Sequence, residues 1–338
     1  MTELLADHTT LRLGGPAAEF VVASTEAELV DAVRSADEAG TSVLLLSGGS
    51  NLVVGDQGFG GRVVAVRTTG VRTGGEVCGG VEVVVAAGEP WDDFVGYAVE
   101  HELIGVEALA GIPGSVGSTP IQNVGAYGQE VSQTIASVRC WDRVEKQQRT
   151  FAAADCGFGY RTSRFKADPT RYVVLEVVFQ FRQGDLGAPV EYAELARALG
   201  VEPGGRASSM AVRDAVLTLR ASKGMVLDPA DHDTWSAGSF FTNPVLDVTQ
   251  LPEGAPSWPQ PDGRVKTSAA WLIEHAGFAK GYGNERVSLS TKHTLALTNR
   301  GGASTADLLR LAYEIRDGVQ LAFGITLVNE PTLVGCSL

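Results

Sequence analysis

Four cysteines in 338 residues are too few and too scattered to staple a fold. Cys78, Cys140, Cys156 and Cys336 form no CxxC pair and no metal-ligand spacing, so no metal site is expected and the thiols read as free in a reducing compartment. Positive charge is short as well. With 27 Lys and Arg against 40 Asp and Glu the net charge is -13, which argues against nucleic acid and an anionic membrane surface as partners. No apolar run approaches the ~18 residues that a membrane span requires. The stretch from Met1 to Gly15 carries Glu3 and Asp7 in place of a basic region and an apolar core, so it does not read as a signal peptide, and a cytoplasmic location is expected. Also missing are a strand-GxGxxG-helix unit, a lysine-bearing phosphate loop and a G-x-S-x-G elbow, which removes Rossmann, P-loop and acyl-enzyme chemistry.

What the chain has in excess is glycine, 41 residues in all, concentrated in residues 40–130 and suited to tight turns and close backbone approach to a ligand. The length predicts two or three domains. Thr25 and Glu28 form a capping box ahead of Leu29, Val30, Val33 and Ala36, with Gly40 ending that helix. Strands are expected at 43–46 and 63–66, then at 81–86, 138–142 and 173–181, with a helix near 91–101. Pro203-Gly204-Gly205-Arg206 is the expected boundary before the last third. There, helices are predicted over 210–220, 269–276 and 306–320, with strands at 295–298 and 325–328. These patterns give an α+β protein.

Four segments carry candidate chemistry. Residues 46–52 (LSGGSNL) follow an apolar strand, so bare backbone amides, Ser50 and Asn51 can converge on a diphosphate. Residues 110–128 form a long glycine loop of little periodicity, uncommon in a compact domain unless it wraps a ligand. Residues 157–166 (GFGYRTSRFK) hold Arg161, a permanent cation able to fork onto a carboxylate. Together with Arg164, Lys166 and Lys223 it could form a basic island for an anionic substrate in an acidic protein. Residues 238–244 (GSFFTNP) place Ser239 beside a glycine, with Phe240 and Phe241 to anchor the turn.

In this order the four segments resemble the UDP-N-acetylenolpyruvoylglucosamine reductases, and the likeness extends from Leu11 to Glu330. It implies a three-domain flavoprotein: a two-part FAD-binding fold of the vanillyl-alcohol-oxidase type over 1–69 and 70–205, and a C-terminal substrate domain over 206–338. By resemblance, Gly48, Gly49, Ser50, Asn51, Gly114, Gln122, Asn123, Gly125 and Tyr127 would contact FAD. Tyr160, Tyr192, Lys223 and Asn243 would bind the substrate, Tyr192 matching a mobile tyrosine found in one subgroup. Ser239 would protonate the carbon beside the substrate carboxylate, while Arg161 and Glu330 hold that carboxylate. NADPH would supply the electrons, UDP-N-acetylglucosamine enolpyruvate would receive them, and the enzyme would act as a monomer. Two rival readings stand beside this one, a small-alcohol oxidase on the same flavin fold and a nucleotide-sugar sensor without flavin.

Overall fold

Thr25 opens helix α1 (Glu26–Glu38) as expected: its hydroxyl accepts from Glu28 N at 3.2 Å and Glu28 Oε2 accepts from Thr25 N at 3.1 Å. Leu29, Val33 and Ala36 on its inner face are fully buried. In the computed structural model, which describes residues 3–77 and 80–338 and no side chains for 75–77, the chain folds into two compact units. Cys78 lies outside the described residues, and Cys140, Cys156 and Cys336 are free thiols.

The larger unit comprises residues 19–48 and 61–221. Strand 43–46 pairs in parallel with 59–66, which also neighbours 17–23. An antiparallel sheet runs in the order 147–152, 135–142, 172–183, 80–86, 71–77, with 103–104 paired to the end of 172–183. Helix α2 (Trp91–Glu100) packs Phe94 against Phe179 with ring centroids 4.9 Å apart. Trp91, Phe94, Val83, Val85, Val177 and Phe179 in this core are at most 1% exposed, and each such side chain stabilises the fold by about 1.5–3 kcal/mol. The unit also holds α3 (Arg164–Ala167), α4 (Ala193–Leu199) and α5 (Ser209–Ser222).

The smaller unit is assembled from residues 1–18, 49–60 and 222–338. Helices α6 (Ala269–His275) and α7 (Thr305–Phe323) bury Leu272, Ile273, Leu308, Leu311 and Ile315 with Phe240 and Phe241. A hairpin joins 287–289 to 297–299, so the strand expected at 295–298 sits one to two residues later. The strand expected at 325–328 is not formed. Ile325 and Leu327 alternate into the core at 5% and 2% exposure, which imitates a strand, but the segment is irregular. The strand that does form is 332–334, parallel to 52–54.

The unit boundaries differ from 69/70 and 205/206. Residues 49–60 leave the first stretch for the smaller unit, while α5 stays with the larger one through Ala221. No described helix is long and apolar enough to cross a membrane, and no cluster of three potential metal ligands occurs among the described residues.

Candidate functional site

In the larger unit the glycine loop is zipped along the start of α2. Trp91 Nε1 donates to Leu109 O at 2.9 Å, Trp91 N to Gly114 O at 3.0 Å, and Gly111 N to Asp92 Oδ1 at 2.6 Å. Beyond it, Val116 N and Gly117 N bond back to Glu89 O and Ala87 O. Gly48 lies against this loop so closely that a Cβ there would sit 3.0 Å from Gly114 Cα. Ser47 Oγ donates to Ser115 Oγ at 2.7 Å across the same seam. Two expected FAD-contacting glycines are therefore neighbours, and the close approach of their loops requires Gly48.

Arg220 of α5 lies at the same loop and went unnoticed in the sequence, where it only ended an amphipathic pattern. It is 8% exposed, and its Nε is 3.3 Å from where a Cβ on Gly111 would be. Burial lowers the guanidinium from its ordinary value, opposed by Tyr127 and Asp92. An anion bound there would stabilise the charge that burial disfavours. Side-chain-free amides, serine hydroxyls and a buried cation fit a diphosphate-bearing cofactor such as FAD.

Farther along, residues 125–126 and 129–130 form a two-residue hairpin whose central residues, Tyr127 (φ 50) and Gly128 (φ 88), are both left-handed. This turn suits the twist of paired strands. Asn123, 1% exposed and at φ 46, fastens it. Its Nδ2 donates to Glu130 Oε2 at 2.8 Å and Gly159 O at 3.2 Å, and its Oδ1 accepts from Ser132 N at 3.1 Å. Both amide hydrogens of this expected FAD contact thus serve the chain itself. Gln122 stands just before it in the turn, half-buried.

Gly159 and Thr162 exchange both main-chain hydrogen bonds, leaving Tyr160 and Arg161 at the turn. Arg161 is left-handed, φ 53, a conformation that costs a residue with a Cβ roughly 1–2 kcal/mol. Three contacts hold it there. Its Nη2 donates to Gly125 O at 2.9 Å, its carbonyl accepts from Lys166 Nζ at 2.9 Å, and its guanidinium lies 5.6 Å from the Tyr160 ring centroid. Ser163, which caps α3, donates to Ile121 O at 2.5 Å. Arg164 instead stacks on Phe151, 4.4 Å from its centroid. Tyr192, the residue before α4, is 46% exposed, and its ring meets that of Tyr127 edge-on at 5.5 Å. Asn123, Gly125, Tyr127, Arg161 and Tyr192 are thus gathered at one place.

In the smaller unit a main-chain ladder carries the site. Phe240 N donates to Leu295 O, Glu330 N to Phe240 O at 2.8 Å, and Thr242 N to Val328 O at 3.0 Å, with Phe241 and Asn329 bridged in antiparallel fashion. Phe240 and Phe241, each 1% exposed, pin the segment into the core as the sequence indicates. The register sets Glu330 opposite Phe240, the residue after Ser239, and both Ser239 and Glu330 are half-buried. Gly238 is there for its left-handed φ of +71 and not for close approach, since nothing lies within 4 Å of a Cβ built on it. Asn243 Oδ1 accepts from Ala269 N at 2.9 Å, at the start of α6. Lys223 directly follows α5, in the turn with Gly224. Gly49, Ser50 and Asn51 lead into strand 52–54, and Asn51 O accepts from Thr332 N at 3.0 Å.

An FAD binding domain model matches residues 17–150, and the C-terminal domain model of UDP-N-acetylenolpyruvoylglucosamine reductase matches 228–334. The glycine loops and the first match define an FAD-dependent flavoprotein of α+β architecture. The UDP-N-acetylenolpyruvoylglucosamine reductase of Cutibacterium acnes is 60% identical over 99% of this chain and 90% of its own length. The protein of the same name from Streptomyces avermitilis is 58% identical over 99% and 94%. The chain belongs to this reductase family. The solved UDP-N-acetylenolpyruvylglucosamine reductase of Thermus caldophilus superposes with a TM-score of 0.65 at 24% identity, covering 99% of this chain and 98% of that one, and shares the fold.

Proposed function

We propose that this protein reduces UDP-N-acetylglucosamine enolpyruvate to UDP-N-acetylmuramate for peptidoglycan synthesis, with FAD as cofactor and NADPH as electron source. Full-length identity of 60% to a reductase of that name supports the activity. The observation that supports the residue roles is the antiparallel pairing that sets Glu330 opposite Phe240, next in sequence to Ser239. Bound FAD would accept a hydride from NADPH and deliver it to the vinyl methylene carbon.

The chain must then supply two things. The developing negative charge runs into the substrate carboxylate, and Arg161, aimed by its bond to Gly125 O, neutralises it. The carbon beside that carboxylate needs a proton, which Ser239 donates. Glu330 holds the same carboxylate together with Arg161, whose cation offsets the repulsion between the two carboxylates. Tyr160, Tyr192, Lys223 and Asn243 bind the sugar nucleotide, with Lys223 on its diphosphate. Gly48, Gly49, Ser50, Asn51, Gly114, Gln122, Gly125 and Tyr127, with the backbone of Asn123, hold FAD, and Arg220 adds a cation for its diphosphate. In this reading residues 1–69 and 70–205 form the two FAD-binding parts and 206–338 the substrate part of a cytoplasmic monomer.

Anaerobic stopped-flow tests the reading. NADPH should bleach the flavin, and the enolpyruvyl sugar nucleotide should restore its colour far faster than oxygen does. Rapid recovery with O2 alone would point to an alcohol oxidase, and a colourless protein to a nucleotide-sugar sensor.

A further inference from the structure

Glu107 is a carboxylate at 0% exposure, and a buried carboxylate must be matched by donors. Its matches come from separate stretches of the larger unit. Oε2 accepts from Gly105 N at 2.6 Å; Oε1 accepts from Gln129 Nε2 at 3.0 Å and from Ala188 N at 2.6 Å. Gln129 Oε1 in turn accepts from Ala108 N at 2.9 Å, closing a small ring of hydrogen bonds.

Both far partners lead to a tyrosine. Gln129 is the residue that closes the Tyr127-Gly128 turn. Ala188 lies four residues before Tyr192, in a segment tied down by Gly187 N to Ala207 O and Val190 N to Gly205 O, each at 2.8 Å. The two rings meet at 5.5 Å with their planes at 90°. Position 187 must stay small, because a Cβ there would lie 2.8 Å from Glu107 Oε1.

We propose that Glu107 is a positioning residue: by clipping the segment that bears Tyr192 to the hairpin that bears Tyr127, it sets how tightly the sugar nucleotide is capped, without touching it. The inference rests on the proposed role of Tyr192 in substrate binding.

Two variants probe the clip from opposite sides. Glu107→Gln replaces an acceptor oxygen with an amide that cannot accept, and Gly187→Ala presses a methyl onto Oε1. Dissociation constants for UDP-N-acetylmuramate are read from flavin absorbance of the oxidised holoenzyme, beside the rate of flavin reduction by NADPH. Each variant should bind about tenfold more weakly, the size of one lost charge-assisted hydrogen bond, with NADPH reduction within about twofold. Tyr192→Ala should also weaken binding, and Glu107→Gln should add nothing in that background, since coupled residues are not additive. Losses that multiply in the double variant, or unchanged binding in both clip variants, would sink the role of Glu107. Unchanged binding in Tyr192→Ala alone would overturn the reading of Tyr192, and the inference with it. If Glu107→Gln fails to fold, Gly187→Ala carries the same comparison.

Discussion

The two units hold their candidate site residues by opposite means. In the larger unit Asn123, Tyr127 and Arg161 all sit in left-handed backbone, as do Glu102 and Lys146, whereas the smaller unit has one such non-glycine residue among those described, Arg12. Glu330 and the residue after Ser239 are joined instead by main-chain bonds around an isolated antiparallel bridge, anchored by two buried phenylalanines. Strained backbone persists only where its surroundings over-determine it. Around Arg161 that work falls to side chains, Lys166 and Asn123 among them, so geometry there depends on polar partners. Around Ser239 it depends on the main chain and on packing, so the side chain can be removed with little disturbance to its frame.

The sharpest way to use this contrast is on the side chains that would do the chemistry. Ser239→Ala should leave the fold and flavin reduction by NADPH intact while slowing reoxidation by the enolpyruvyl substrate about 10²–10⁴-fold, the usual worth of a positioned acid. Equal loss in both stopped-flow half-reactions would take the proton-donor role away from Ser239. Next in size is Arg161→Lys. A lysine keeps the charge but cannot fork, and it loses the bond to Gly125 O, so turnover should fall about a hundredfold. Turnover near that of the parent enzyme would rule out a bidentate contact.

A third test compares one buried carboxylate from each unit. Asp142 has no exposed surface and takes Nε and Nη2 of Arg171 at 3.0 and 2.9 Å, and those hydrogen bonds hold its pKa down to about 2. Asp233, 5% exposed, is raised by burial, but Thr291 and Arg300 outweigh that and leave it below its ordinary value. Because the folded pKa of Asp142 is depressed, its contribution is complete above its unfolded value of 3.8 and is lost as pH falls towards about 2. Asp142→Asn should therefore destabilise by about 1–3 kcal/mol at neutral pH. Its melting curve should converge on that of the parent protein between pH 4 and 2, and a gap that stays constant down to pH 2 would break the assignment.

The smallest effect separates two glycines. Gly238→Ala meets open space and carries only left-handed strain, about 1–2 kcal/mol in a melting experiment. Gly48→Ala should cost little in φ yet push two loops apart, and should show itself as lost flavin. The comparison fails if Gly238→Ala is the variant that purifies without colour.

Local signals made much of this legible in the sequence. The capping pair Thr25/Glu28 fixes a helix start by hydrogen bonds within one turn, and the Phe240-Phe241 pair announces its own burial. What the sequence concealed depends on partners far away. Strand 332–334 is three residues long and exists because 52–54 lies beside it, while 325–328 has a strand's alternation but no ladder. Asn123 has the composition of a ligand contact, and only the fold shows Glu130, Ser132 and Gly159 claiming its amide. Glu107 gave no signal at all, since nothing near it in sequence reveals a partner at 188.

The pairing of 332–334 with 52–54 also has a consequence for how the polypeptide matures. As synthesis proceeds from the amino end, the larger unit has all its residues by position 221, whereas the smaller holds two early pieces that await partners made after that point. A ribosome stalled before residue 332 would leave the nascent 52–54 edge bare, open to pairing with other chains.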